Sequence, residues 1–245
     1  MSDDSTQYVS GNENVWAALA RQGYALTNDR SIGLAERFRQ NFSETYFNSW
    51  TLHHNEGDWP VDRQRARDVI RYQWRDDRPD VQRHDTITIT DRAGIPGKRE
   101  HSRVELLDDP QAKELIQTFL QLVPPSRRQA DSTFSVNLFR TFTNVVTRPH
   151  HDHEEFIILY VLDRVGGGAE TCLYAPCDVT HDGQVMAPPL LRRQLHPGDI
   201  MIFEDKLFQH ETTPLTNPPE GIAKRDALVC TVDYWDTYLG GLAAN

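Results

Sequence analysis

What this sequence has little of narrows it first. Cysteine is scarce: Cys172, Cys177 and Cys230 are the three in 245 residues. An odd count without zinc-type spacing argues against a disulfide scaffold or a structural zinc site and for reduced thiols. No stretch approaches the ~20 apolar residues of a bilayer-crossing helix, so no membrane partner is expected. Positive charge is in deficit, with 26 Lys+Arg against 36 Asp+Glu and a formal net charge of −10. That balance argues against nucleic acid as the main partner, because phosphate binding needs a basic surface. The opening Met1-Ser2-Asp3-Asp4-Ser5 is acidic and polar where an export signal would be basic and then apolar, so a cytoplasmic location is expected. Internal repeats and low-complexity tracts are missing as well.

What is present falls into two textures. Apolar residues recur at helical spacing from Asn14 to about Leu26, with Gly23 as a stop, and again from Ser31 to Phe47. Residues 55–103 mix Arg63, Arg65, Arg67, Arg71 and Arg75 with Asp58, Asp62, Asp68, Asp76 and Asp77, which reads as a solvated, salt-bridged surface. Within them Thr86–Thr90 alternates as a strand, and 94–97 reads as a turn. A further helix is expected from Pro110 to Val123. After residue 130 the runs shorten: Phe134–Arg140, Phe156–Leu162, Ala169–Tyr174, Leu191–Leu195, Ile200–Phe203 and Ala227–Val232, punctuated by Gly and Pro. Short, closely spaced strands predict an all-β barrel or sandwich and not βαβ units. A single domain over 1–245 is expected, with a helical, substrate-covering part at 1–130 and a β core at 131–238.

The densest chemistry lies at Pro149-His150-His151-Asp152-His153-Glu154-Glu155. Three imidazoles and three carboxylates beside a core strand are costly unless a divalent metal neutralises them. In extended chain, residues i and i+2 share a side, so His150 and Asp152 offer one nitrogen and one oxygen donor to a common point. They make two thirds of a two-His-one-carboxylate facial triad, which leaves three metal positions open. His210, 58 residues beyond Asp152, is the candidate third ligand on a strand folding back over the first. Arg225 stands at the mouth of the last apolar strand, where a guanidinium can grip a carboxylate in a bidentate fork. His151 with His153 would instead make a cupin-like His-x-His pair, although a cupin glutamate should come later than Glu154 and Glu155.

The ordered set His150-His151-Asp152, Glu155-Phe156-Ile157-Ile158, Gly167-Gly168-Ala169-Glu170, His210 before Thr213-Pro214, and Arg225-Asp226-Ala227-Leu228-Val229 resembles the Fe(II)/2-oxoglutarate-dependent dioxygenases. The likeness covers about residues 134–235, and the bacterial branch that hydroxylates free amino acids such as isoleucine or lysine is the nearest match. It implies a mainly β fold with flanking helices, a double-stranded β-helix (jelly-roll, cupin-like) core with N-terminal helical elements. It also implies Fe(II), 2-oxoglutarate and O2, with His150, Asp152 and His210 on the metal and Arg225 pairing the 5-carboxylate of 2-oxoglutarate. Halogenating relatives carry a small residue where Asp152 stands, so hydroxylation of a small substrate, a free amino acid or similar metabolite, is implied. Desaturation and cyclisation share the chemistry. A cupin-type metal dioxygenase or isomerase, or a metal-dependent binding module, are the other classes. Arg140 is a candidate for a substrate carboxylate or for a structural ion pair. Glu170, after a glycine run, is a candidate for a substrate ammonium or for loop hydrogen bonding.

Overall fold

The computed structural model describes residues 7–35, 37–54, 63–84, 103–142, 147–180 and 183–234. The expected strand at 86–90 and turn at 94–97 lie outside them.

Helix α1 (Asn12–Gln22) buries Val15, Ala18 and Leu19, one face at i, i+3 and i+4 spacing. It ends because Gly23 takes a left-handed φ of 76° and its N–H caps Leu19 O. A Cβ at Gly23 would stand 2.7 Å from Leu207 Cδ1, so a side chain is excluded twice over. The chain beyond is therefore not helix but strand β1 (Tyr24–Asn28). Helix α2 (Phe38–Tyr46) starts later than Ser31, after a single 3-10 turn at Arg30–Ile32 that left-handed Gly33 closes. Strands β2 (Gln64–Arg75) and β3 (Arg78–Arg83) form a hairpin whose two turn residues, Asp76 and Asp77, both have positive φ. Helix α3 (Pro110–Gln121) begins where expected, with Asp109 accepting from Gln111 N and Pro110 in its first turn.

The later chain supplies β4 (Asp131–Thr141), β5 (Thr147–His150), β6 (Glu154–Val165), β7 (Gly167–Gly168), β8 (Glu170–Tyr174), β9 (Leu191–Gln194) and β10 (Asp199–Glu204). The last three are β11 (Gln209–Thr212), β12 (Leu215–Thr216) and β13 (Lys224–Tyr234). Seven strands pair in the order β1-β10-β6-β13-β4-β2-β3, and four in the order β5-β11-β8-β9. β7 and β12 form a two-stranded ribbon. Every named pairing is antiparallel. The architecture is the double-stranded β-helix expected, with helices outside it.

Side-chain alternation explains the layers. On β6, Phe156, Ile158, Tyr160 and Leu162 join the core shared with all three helices. Their neighbours Ile157, Leu159 and Val161 join Leu173 and Leu191 of the smaller sheet in a second core, between the sheets. The run is apolar throughout because both faces are covered. Burying each such side chain contributes ~1.5–3 kcal/mol.

One segment departs from its sequence signature. The mixed-charge run at 63–83 is the β2–β3 hairpin at one edge of the large sheet; its far end is the solvated, salt-bridged surface expected, with Arg71 paired to Asp131 and Arg75 to Asp80, but its near half is not. Residues 1–130 are thus not helical throughout; three of the seven strands come from them. On β2, Ala66, Asp68, Ile70 and Tyr72 are buried, while 65, 67 and 69 are half-buried, as is 63 just before the strand. Asp68 obscures the pattern. It sits in the apolar series because its carboxylate accepts from Leu106 N at 3.0 Å and faces Arg103 at 3.4 Å.

Candidate metal centre

The smaller sheet brings two distant histidines together by strand pairing. His210 of β11 stands directly opposite His150 of β5 and, on its other side, opposite Leu173 of β8. Directly paired residues of an antiparallel ladder point to the same side, so both imidazoles project into the space between the sheets. Their ring centroids are 4.3 Å apart. Asp152 follows β5 in a three-residue loop that His153 closes at φ 61°, a left-handed conformation rare outside glycine. The turn, not a continued strand, aims the carboxylate between the two rings. His150 Nε2 lies 3.7 Å from Asp152 Oδ1, and His210 Nε2 lies 3.6 Å from Asp152 Oδ2. One ligand atom from each residue falls within 4.8 Å of the others. Two imidazole nitrogens and one carboxylate oxygen on one side of a point suit a divalent first-row metal with the far side open. The donor set therefore fits such an ion.

The surroundings set the rings. His150 Nδ1 donates to Arg148 O at 2.8 Å, which fixes the tautomer that leaves Nε2 a free lone pair. Burial, then the neighbouring His210, lowers the His150 pKa, favouring the neutral ring that a metal needs. For His210 burial also works against charge, but Asp152 and Asp205 more than offset it and push its pKa up to about 9. Asp205 is fully buried. Its Oδ2 accepts from Glu154 N at 3.1 Å, and its Oδ1 stands 3.3 Å from His210 Nδ1, behind the ring. The same residue's carbonyl accepts from His151 Nδ1 at 2.6 Å. His151 is thereby turned away from the cluster, and its ring centroid is 6.3 Å from that of His153. Among the described residues, His151 and His153 do not join a three-residue metal-binding group. Glu155 is drawn off by Arg127 at 2.7 Å and Lys206 at 3.3 Å.

Arg225 occupies a different kind of position. It is 7% exposed, opposite Thr141 of β4 and Arg164 of β6. Its Nε and Nη2 are buried without a hydrogen-bond partner, and among the described residues no carboxylate pairs it. Burial, then the charges of Arg164 and Arg63, pushes its pKa down to about 10. A buried guanidinium surrounded by cations is costly unless an anion joins it. A second orphan is Thr171, whose buried Oγ1 lacks a partner. Thr171 is two residues from Leu173 on β8, so it shares the face of His210.

Two sequence candidates fall elsewhere. Arg140 points to the helix side of the large sheet, where it holds buried Asp226 at 2.7 and 2.8 Å and donates to Phe47 O at 2.9 Å. It is a structural ion pair, placed there by the alternation that sends Phe139 inward. Glu170 is three residues from Leu173 and so on the opposite face of β8 from His210. Its carboxylate is paired with Arg192 at 2.5 Å. It holds the outer surface of the small sheet, not the pocket. Asp205 and Thr171 carried no signal in the sequence, since lone buried polar residues become visible only through their contacts. The three cysteines are free, as expected, and no helix among the described residues is long and apolar enough to cross a membrane.

Comparison with known proteins agrees with this geometry. A structure of a BsmA homologue from Methylobium petroleophilum PM1 is similar at 17% identity and a TM-score of 0.71, covering 94% of this chain and 96% of that one. IDO from Bacillus thuringiensis is similar at 16% identity and a TM-score of 0.63, covering 94% and 99%. The Fe(II)/α-ketoglutarate-dependent dioxygenase TqaL is similar at 14% identity and a TM-score of 0.67, covering 93% and 89%. At these identities the likeness shows the fold. No curated protein matches the sequence. A family model described as 2OG-Fe dioxygenase matches residues 60–231, which include the metal cluster and Arg225. The chain belongs to the 2OG-Fe dioxygenase family, whose members use Fe(II), 2-oxoglutarate and O2.

Proposed function

We propose that the protein hydroxylates an unactivated C–H bond of a free L-amino acid or amino-acid-like metabolite, converting 2-oxoglutarate to succinate and CO2. The observation that carries this reading is Arg225, a buried cation with two unpartnered nitrogens in a chain whose family uses a dicarboxylate co-substrate. His150, Asp152 and His210 would hold Fe(II), and Arg225 would pair the 5-carboxylate of 2-oxoglutarate, with Thr171 Oγ1 as a further donor. Iron, 2-oxoglutarate and dioxygen together supply the oxidising chemistry that breaks the C–H bond. The chain supplies placement and dryness. Arg148 O holds the His150 ring, Asp205 stands behind the His210 ring, and Leu173 and Phe203 belong to the apolar core between the sheets. Phe203 lies against the His210 ring, with centroids 5.2 Å apart. Holding one substrate carbon in register decides which bond reacts. The resemblance of the His150–Asp152 segment and the Arg225 strand to amino-acid hydroxylases supports the substrate class.

The test begins anaerobically, with Fe(II) and 2-oxoglutarate added to purified protein and the visible charge-transfer band of the chelate recorded. Oxygen and a panel of L-amino acids follow, with succinate and substrate mass measured. A band, succinate, and one product heavier by one oxygen are expected. Succinate with loss of two hydrogens would indicate desaturation or cyclisation. Turnover without 2-oxoglutarate, or metal binding with no turnover on the panel, would overturn the reading.

A further inference from the structure

The turn that joins β10 to β11 holds a carboxylate that the turn itself does not need. Asp205 opens a single 3-10 turn at Asp205–Leu207 and is fully buried. Phe208 N–H closes that turn on the Asp205 carbonyl, without help from the side chain. A carboxylate taken wholly out of water is costly unless both oxygens are satisfied, so its neighbours explain its presence. Oδ2 accepts at 3.1 Å from the N–H of Glu154, the first residue of β6 and two beyond Asp152. Oδ1 stands 3.3 Å from His210 Nδ1. These two facing atoms are buried, and neither has another hydrogen-bond partner. The carbonyl also accepts from His151 Nδ1 at 2.6 Å. One residue thus joins the loop that carries Asp152 to the strand that carries His210, two segments far apart in the chain.

The residue type decides between a simple cap and a clasp. Two donors, Glu154 N–H and His210 Nδ1–H, converge on one short side chain, and only a carboxylate accepts on both oxygens. Asparagine has the same outline but a single acceptor. If that oxygen serves Glu154 N, its NH2 faces the ring, which makes Nδ1 an acceptor and moves the ring proton to Nε2. Nε2 is the atom that lies 3.6 Å from Asp152 Oδ2. His150 is set differently, by the backbone carbonyl of Arg148, so an anionic partner is particular to His210. The His210 side chain is 12% exposed and lies against the Phe203 ring, so little water reaches it.

We propose that Asp205 is a positioning residue for the metal centre: it holds His210 in the tautomer that leaves Nε2 free to bind metal, and its second oxygen fixes the Asp152 loop. The assignment rests on the Fe(II) reading and is tested separately from it. Anaerobic calorimetry with Fe(II) compares wild type, Asp205→Asn and Ile158→Ala. Asp205→Asn should weaken Fe(II) binding about 10- to 100-fold, the range for losing a ligand's outer hydrogen-bond partner. Ile158→Ala, at a fully buried position of β6, should lower stability to urea and leave Fe(II) affinity unchanged. Magnetic resonance of zinc-loaded protein with isotope-labelled histidine gives a second readout. Wild type should show a low-field, exchange-protected proton on His210 Nδ1. In Asp205→Asn that proton should move upfield or vanish, while the His150 proton held by Arg148 O stays in place. If Asp205→Asn does not fold, the wild-type spectrum decides. Three results overturn the assignment: wild-type Fe(II) affinity in folded Asp205→Asn, an equal loss in Ile158→Ala, or an unprotonated His210 Nδ1 in zinc-loaded wild type. A wild type that binds no Fe(II) defeats the metal reading itself, and the role of Asp205 with it.

Discussion

Replacing Arg225 by methionine should make the ligand-free protein more stable while removing its response to 2-oxoglutarate. The guanidinium is 7% exposed and two of its nitrogens lack partners. Burial, with Arg164 and Arg63 nearby, takes its pKa from 12.5 to about 10. At 1.36 kcal/mol per tenfold change in proton affinity, that corresponds to about 3 kcal/mol held against the charged form. Because the folded value lies below the unfolded one, the penalty is present in full at every pH below about 10 and is relieved only as pH climbs through that value. It therefore acts at neutral pH. Exchanging buried charge for apolar side chains of similar volume gains ~1–4 kcal/mol in other proteins. In a chain of this size each kcal/mol moves the melting temperature ~2–4 °C, so about 3 kcal/mol should make the ligand-free variant melt about 6–12 °C above wild type. Scanning fluorimetry reads the difference directly. Adding 2-oxoglutarate with Fe(II), without oxygen, should reverse the order. A ligand at a thousand times its Kd stabilises by ~4.1 kcal/mol, which exceeds the variant's advantage of about 3 kcal/mol, and only wild type should collect that gain. If the variant melts below wild type without ligand, or is shifted equally by 2-oxoglutarate, Arg225 is not an unpaired charge reserved for a carboxylate.

Asp152→Ala should weaken metal binding by about 100-fold or more, since losing a ligand exceeds the 10–100-fold typical of losing its outer partner; calorimetric titration with the metal showing wild-type affinity would remove Asp152 from the site. Arg140→Ala should cost about 2–3 kcal/mol. The loss of a buried ion-pair partner at ~3–5 kcal/mol is softened here because Lys224 remains 3.4 Å from Asp226. Urea unfolding should show that loss with substrate KM unaltered, and the reverse pattern would return Arg140 to the substrate. Ile158→Ala, on the helix-facing side of β6 and fully buried, should lose ~2–5 kcal/mol to cavity formation. A loss under 1 kcal/mol in the same titration would mean that the helices and sheet close over the gap.

The sequence announced the strands whose two faces are apolar and the ligands that lie close in order. Phe156–Leu162 was legible because both sides of β6 meet a core, and His150-x-Asp152 because two donors two residues apart are unusual before such a strand. His210 was found by chemistry, through the demand for a third ligand, and strand pairing then set it directly opposite His150. Helix ends were less legible. Gly23 carried the stop, but nothing nearby said that the next five residues would pair with β10 at the far edge of the large sheet. For Arg140 and Glu170 the sequence leaves a structural and a substrate role open, because residue type gives charge, while the side of the strand is fixed only by register. Arg140 pairs with Asp226 on β13, and Glu170 stands opposite Gln194 on β9, away from the metal.

β2 shows why burial and legibility pull apart. A strand read by hydrophobic alternation needs one apolar face, and that face exists here as Ala66, Ile70 and Tyr72, all fully buried. Asp68 interrupts it, affordable to the fold only because Leu106 N and Arg103 satisfy its carboxylate. The other face is charged, yet not because it meets bulk solvent. Arg65 and Arg67 share rows with Phe139, Asn137, Ala227 and Val229, on the wall that Arg225 also lines. Composition cannot tell a charged face turned to water from one turned toward the space between two sheets. Pairing partners can, because a row that ends in a core residue such as Val229 must begin inside as well.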